Sequence, residues 1–196
     1  MEIQGTPDEI ASAKCVAARS LLLKKFGHSN FVVMVEDTAL GFEALGGMPG
    51  PYIKGFAGVP TDKLYSMIRE EDTHAGLATC TIAMLDCRGL SQDDDAVVKP
   101  VLFKVQALGV CVSVACMHFV KRRVCCACRG QGELRGDIVS PVEGPESFDW
   151  DSIFRPKGHD LTLSAMGPEA KNEVSHRRLA LDQAVQYLRG LRACSE

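Results

Sequence analysis

The chain of 196 residues has one tryptophan, Trp150, only two asparagines, Asn30 and Asn172, and no large excess of charge of either sign. With 22 basic against 25 acidic residues, it offers no general polyanion-binding surface, and bulk nucleic acid is excluded as an expected partner. No apolar run reaches the length of a membrane span. The longest, Leu108–Val120, is interrupted by Ser113 and His118 and is too short to cross a bilayer. The N-terminus has no basic stretch followed by an apolar one, so no secretory signal is expected and a cytoplasmic setting is. No internal repeat is apparent, and the length suits about one domain.

Cysteine is not scarce. Nine are present, five of them crowded between Cys111 and Cys128. Without a secretory signal these are expected to be free thiols. A zinc or redox site built from them with His118 is one reading. Small buried hydrophobes on neighbouring strands is the favoured one.

The first helix is signalled by a capping box. Thr6 accepts from a backbone N–H, Pro7 suits the first helical position and Glu9 reaches back. Lys24 and Lys25 suit the negative end and Gly27 the stop, giving a helix over about 7–26 with an apolar stripe at Ile10, Ala13, Ala17 and Leu21. Phe31–Val35 is expected as a buried strand. A short helix is expected from Thr61 to about Glu70, a strand over Thr79–Asp86, and a solvated loop at Gln92–Asp95. Strand character continues in Val97–Phe103, Leu108–Val120, Val124–Cys128 and Asp137–Val139. Pro168 opens a last helix running to about Leu188. Interleaved strands and helices indicate an α/β domain with a central mixed sheet.

Chemistry concentrates where the apolar run Phe31–Val35 ends in Glu36 and Asp37. A loop follows that carries Gly46, Gly47, Gly50 and Lys54. Carboxylates at such an edge can hold Mg²⁺ together with substrate phosphates, and a lysine adds a mobile positive charge. On an extended strand Glu36 would face away from Asp37. Lys14 follows Ala13 on the first helix, where its stem can pass the core towards an anion or simply lie in solvent. Phe148 and Trp150 flank Asp149, offering aromatic faces for a purine or for the core. On the last helix Val174, Leu181, Val185 and Leu188 define the expected buried face. Arg177 falls on that face, so it must pair or reach a ligand. His176 lies one step around.

Four ordered stretches together resemble the inosine triphosphate pyrophosphatase family: Glu2–Lys14, Val35–Lys54, Phe148–Pro156 and Met166–Arg177, the last ending in Ser-His-Arg. The resemblance implies an ITPase-like α/β fold over residues 1–196 and hydrolysis of ITP, dITP or XTP to the monophosphate and pyrophosphate. It implies Glu2 and Asp37 as ligands of Mg²⁺, with Mn²⁺ as the alternative, and Asp37 as general base. It further implies a substrate site of Lys14, Asp37, Thr38, Lys54, Phe148, Asp149, Trp150, Asp151, Lys171, His176 and Arg177, in a homodimer. Three departures stand out. The family's opening strand and Thr-x-Asn-x-x-Lys loop have no counterpart, so the chain is expected to be N-terminally truncated relative to the family. Residues 88–123 diverge or are inserted, with 104–123 extra. Asp149 also stands where the family usually has glycine. The missing loop motivates an alternative: a nucleotide-binding or dimerisation module of the same fold with impaired turnover.

Overall fold

The computed structural model describes residues 3–88, 90, 99–103, 132–142, 144 and 149–193. Glu2, Phe148, the expected strands at 108–120 and 124–128 and the cysteine cluster lie outside the described residues. Helix α1 spans Pro7–Phe26 with the capping box in place: Thr6 Oγ1 accepts from the Glu9 N–H, and the Glu9 carboxylate accepts from the Thr6 N–H. Gly27 closes it in the left-handed conformation at φ 70°. The sheet is built from β1 (Val32–Phe42), β2 (Pro49–Gly50), β3 (Ala75–Asp86), β4 (Val101–Phe103), β5 (Gly132–Ile138) and β6 (Phe154–Pro156). Strand order is β2-β1-β3-β5-β6, with β4 also on β3, and every described pairing is antiparallel, so among the described residues the central sheet is antiparallel where a mixed one was expected. Helices α2 (Thr61–Ser66), α3 (Pro168–Val174) and α4 (His176–Ala193) complete the α/β arrangement expected from the sequence.

The sheet is covered on both faces. Alternate β3 residues Ala83 and Leu85 pack with Val33 against Ala11 and Cys15 of α1. Cys80, Ile82 and Met84 point the other way, onto Ala180 and Ala184 of α4. A third apolar cluster joins Leu40, Phe42, Ile53, Ile138, Trp150 and Phe154 at the far end of the strands. The described cysteines, Cys15, Cys80 and Cys87, are buried free thiols.

Three further expectations need correcting. The strand that ends at Val35 in the sequence reading continues to Phe42, so Glu36 and Asp37 sit in mid-strand opposite Ile82 and Thr81. An unbroken ladder with β3 satisfies the backbone there, and it outweighs the polarity of the two side chains. On α1 the buried residues are Ile10, Ala11, Cys15, Arg19 and Leu23, so Ile10 of the expected stripe is buried while Leu21 is 68% exposed. This helix is so evenly alanine-rich that periodicity alone could not choose its phase. The last helix is in fact two. Ser175 is extended (φ −59°, ψ 126°) and separates α3 from α4. That break resets the phase, so α4 buries His176, Ala180 and Ala184 and leaves Leu181 and Val185 substantially exposed.

Candidate active site

Because side chains alternate along a strand, β1 sends its two carboxylates to opposite faces of the sheet. Asp37 turns towards α1, where Lys14 and Lys54 both donate to its Oδ1, Lys54 at 3.1 Å. Its carboxylate is almost completely buried, and Oδ2 has no hydrogen-bond partner among the described residues. Glu36 turns towards α4, where its Oε1 accepts from Arg177 Nε at 2.9 Å and from Thr38 Oγ1 at 2.8 Å. Burial alone would raise the Glu36 carboxyl. The Thr38 hydroxyl and the Arg177 charge outweigh it and hold the group below the usual range.

On this α4 face lies a cleft of about 290 Å³, walled by Glu36, Thr38, Lys54, Trp150, His176 and Arg177, among others. That is the lower end of the range for small-molecule sites, about right for a heterocyclic base. Trp150 and His176 stack with ring centroids 5.7 Å apart and an interplanar angle of 29°. Neither ring nitrogen of His176 has a hydrogen-bond partner among the described residues. Its burial, reinforced by the Arg177 charge, pushes the imidazole down to about 4, so it is neutral at neutral pH. Asp151 is buried at the cleft floor, pushed up by desolvation and countered by an ion pair with Lys171. Asp149 holds a left-handed backbone (φ 53°), a conformation that suits glycine better than most side chains. Its carboxyl is likewise raised by burial.

The residues expected from the sequence thus fall into two groups that meet at the rim of β1. Thr38, Lys54, Asp149, Trp150, Asp151, Lys171, His176 and Arg177 line the cleft. Lys14 and Asp37 lie behind it, on the other face. Lys54 belongs to both groups, since it lines the cleft and binds Asp37. Arg177 does not project from a buried helix face as expected. Its side chain is 45% exposed and engages Glu36 rather than Asp37. The sequence reading missed Glu36 as a cleft residue, although strand alternation already set it apart from Asp37. It also missed Ser175, whose Oγ accepts from the Arg177 N–H at 3.2 Å and fixes the first turn of α4.

The fold and the site therefore define an α/β protein with a lysine-held buried carboxylate beside an aromatic, cation-rimmed cleft. Comparison with known proteins is specific. The family model of the Ham1 family matches residues 1–102 and 92–187. The chain is 36% identical over 191 residues to an inosine triphosphate pyrophosphatase of Mycosarcoma maydis, covering 97% of this chain and 77% of that protein. It is 34% identical to the inosine triphosphate pyrophosphatase of Schizosaccharomyces pombe, over 95% of this chain and 77% of the relative. A Staphylococcus aureus Ham1 protein superposes with a TM-score of 0.67 at 23% identity, over 97% of this chain and 80% of the other. A HAM1 protein from Coxiella burnetii gives 0.66 at 21%, with the same coverage. The chain belongs to the Ham1 family.

Proposed function

We propose that this chain hydrolyses ITP, dITP and XTP to the monophosphate and pyrophosphate, acting as one domain over residues 1–196. The observation that carries this reading is the juxtaposition across one strand of a lysine-clasped buried carboxylate and an aromatic base-sized cleft. The names of the relatives at 34–36% identity support it. In this reading the base lies beside Trp150 and the donors of α4, bordered by Asp149 and Asp151, and Phe148 is a further base-binding residue of the proposal. The triphosphate then passes over the rim of β1 at Thr38 and Lys54 to Lys14 and Asp37. Lys171 stays at the nucleoside end because Asp151 holds it there.

The family's reaction uses a divalent metal ion, which we take to be Mg²⁺, with Mn²⁺ as the alternative. The residues fit in a limited way. Among the described residues no group of three or more metal-ligating side chains converges. Asp37 Oδ2, however, is a buried hard oxygen with no hydrogen-bond partner among the described residues, as a metal ligand requires. Mg²⁺ is commonly held by one or two carboxylates plus substrate phosphates, so Asp37, Glu2 and the nucleotide would suffice. When bound, the ion neutralises phosphate charge and orients the attacking water. Asp37 accepts the proton as the water oxygen bonds to the α-phosphorus. The bond from the α-phosphorus to the oxygen bridging it to the β-phosphorus breaks, and pyrophosphate leaves with that oxygen, Lys14 and Lys54 balancing its charge.

Base choice follows from donors. Arg177 can only donate, so it pairs with the 6-keto oxygen of hypoxanthine or xanthine, which accepts, and opposes the 6-amino group of adenine. Neutral His176 can donate from one nitrogen or accept at the other, which makes Arg177 the stricter reader. A homodimer in the cytoplasm completes the proposal; a monomer by analytical ultracentrifugation would remove the dimer from it. The decisive test is pyrophosphate release from ITP, dITP, XTP, GTP and ATP, with Asp37→Asn as control. Release from none of them ends the proposal. Equal turnover of ITP and ATP ends the base-reading role of His176 and Arg177.

A further inference from the structure

Glu36 has no part in the chemistry above, yet it makes the contact that ties the two halves of the cleft together, 141 positions apart in the chain. We infer that Glu36 is a positioning residue, which holds the Arg177 guanidinium in the orientation that reads the purine edge. This inference rests on the proposed function.

Arg177 lies in the first turn of α4 and carries a long side chain, and a free arginine loses rotamer entropy when a ligand orders it. Here both ends are set beforehand. Ser175 Oγ takes the backbone N–H at 3.2 Å, and Glu36 Oε1 takes Nε at 2.9 Å. Because the guanidinium is planar, fixing Nε fixes the plane of the remaining donors. Glu36 is itself pinned: it stands in the β1 ladder opposite Ile82, and Thr38, two residues on and on the same face, donates to the same Oε1. A donor ordered before binding costs less to use, and that saving appears as affinity. Glu36 also offsets the positive charge of Arg177, so the arginine is not an open trap for phosphate oxygens that would draw the nucleotide out of register.

The test measures IMP and AMP binding by calorimetry, and KM and kcat for ITP and ATP. The proteins are the parent, Glu36→Ala, Glu36→Gln, Arg177→Ala and the Glu36→Ala/Arg177→Ala double variant, each checked for folding by thermal melt. Loss of one charge-assisted contact predicts about tenfold weaker IMP binding and about tenfold higher KM for ITP in Glu36→Ala, with kcat little changed. AMP binding should not fall in step, so the IMP preference narrows. Glu36→Gln keeps an acceptor oxygen in place and should recover most of the loss. In the Arg177→Ala background, Glu36→Ala should add nothing. The inference is overturned if Glu36→Ala binds IMP like the parent, or if its full effect persists without Arg177. It is equally overturned if kcat collapses at constant KM, which would make Glu36 part of the chemistry. Should Glu36→Ala fail to fold, Glu36→Met, of similar length but without an acceptor oxygen, carries the same comparison with Arg177→Ala. Failure of the functional reading looks different, since the unsubstituted protein would then bind neither IMP nor ITP, and the inference falls with it.

Discussion

His176 keeps its imidazole neutral because charging it would bury a cation beside Arg177 and Lys171, with only Glu36 in its favour. Its folded value, about 4, lies below its ordinary 6.5, so the unfolded chain binds the extra proton first between those two values. Stability from this group is therefore intact above about pH 6.5 and lost as pH falls towards 4. The size is on the order of 3 kcal/mol. Denaturant titrations at pH 7 and pH 4.5 should show a smaller pH loss in His176→Phe than in the parent; an equal loss would mean His176 is not buried as a neutral ring. At Asp149 the left-handed backbone tolerates aspartate but not a β-branched side chain. Asp149→Val should cost about 1–2 kcal/mol, measured by urea midpoint, with Asp149→Gly near neutral. The carboxylate pair Glu36–Asp37 was visible in the sequence, and so was its division between faces. The partners of each were not, because Lys54 and Arg177 reach them through long-range packing that no local pattern encodes.

At the scale of elements, α1 was legible down to its caps because Thr6, Pro7, Glu9 and Gly27 each have a local physical reason to be there. Its phase was not, since alanines surround the axis. The α3–α4 pair shows the converse: Pro168 announced the start, but nothing in Lys171–Ser175 announced the break at Ser175. A single unbroken helix would have buried Leu181 and Val185. The reset helix buries Ala180 and Ala184 against Cys80, Ile82 and Met84 instead. Ala184→Leu should then overpack this seam and cost about 1–3 kcal/mol, whereas Leu181→Ala should stay within about 0.5 kcal/mol. Thermal melts of the two variants check this; the reverse ranking would restore the unbroken helix.

Across the whole molecule, the α/β class followed from the alternation of strand and helix signals, but the reach of β1 past its carboxylates did not. Backbone pairing with β3 is a property of the assembled sheet, and only that pairing carries the strand through Glu36 and Asp37. The cleft accordingly draws on β1, the turn at 149–153 and the start of α4, and none of these pieces forms it alone. A ligand that bridges them must stabilise the global fold. At a concentration of 100 times its dissociation constant, IMP should raise stability by about 2.7 kcal/mol in the parent, read as a shift of the thermal midpoint. No shift at saturating IMP would show that the nucleoside end of the site is not formed by these elements.

One consequence of the stacked wall is optical. Trp150 is the sole indole of the chain, and it lies against His176 within the cleft. Emission excited at the red edge of the protein spectrum therefore comes from a single address. Insertion of a purine beside that ring, or protonation of the neighbouring imidazole in acid, would change its intensity without any label, so the native protein already carries its own fluorescent gauge of occupancy.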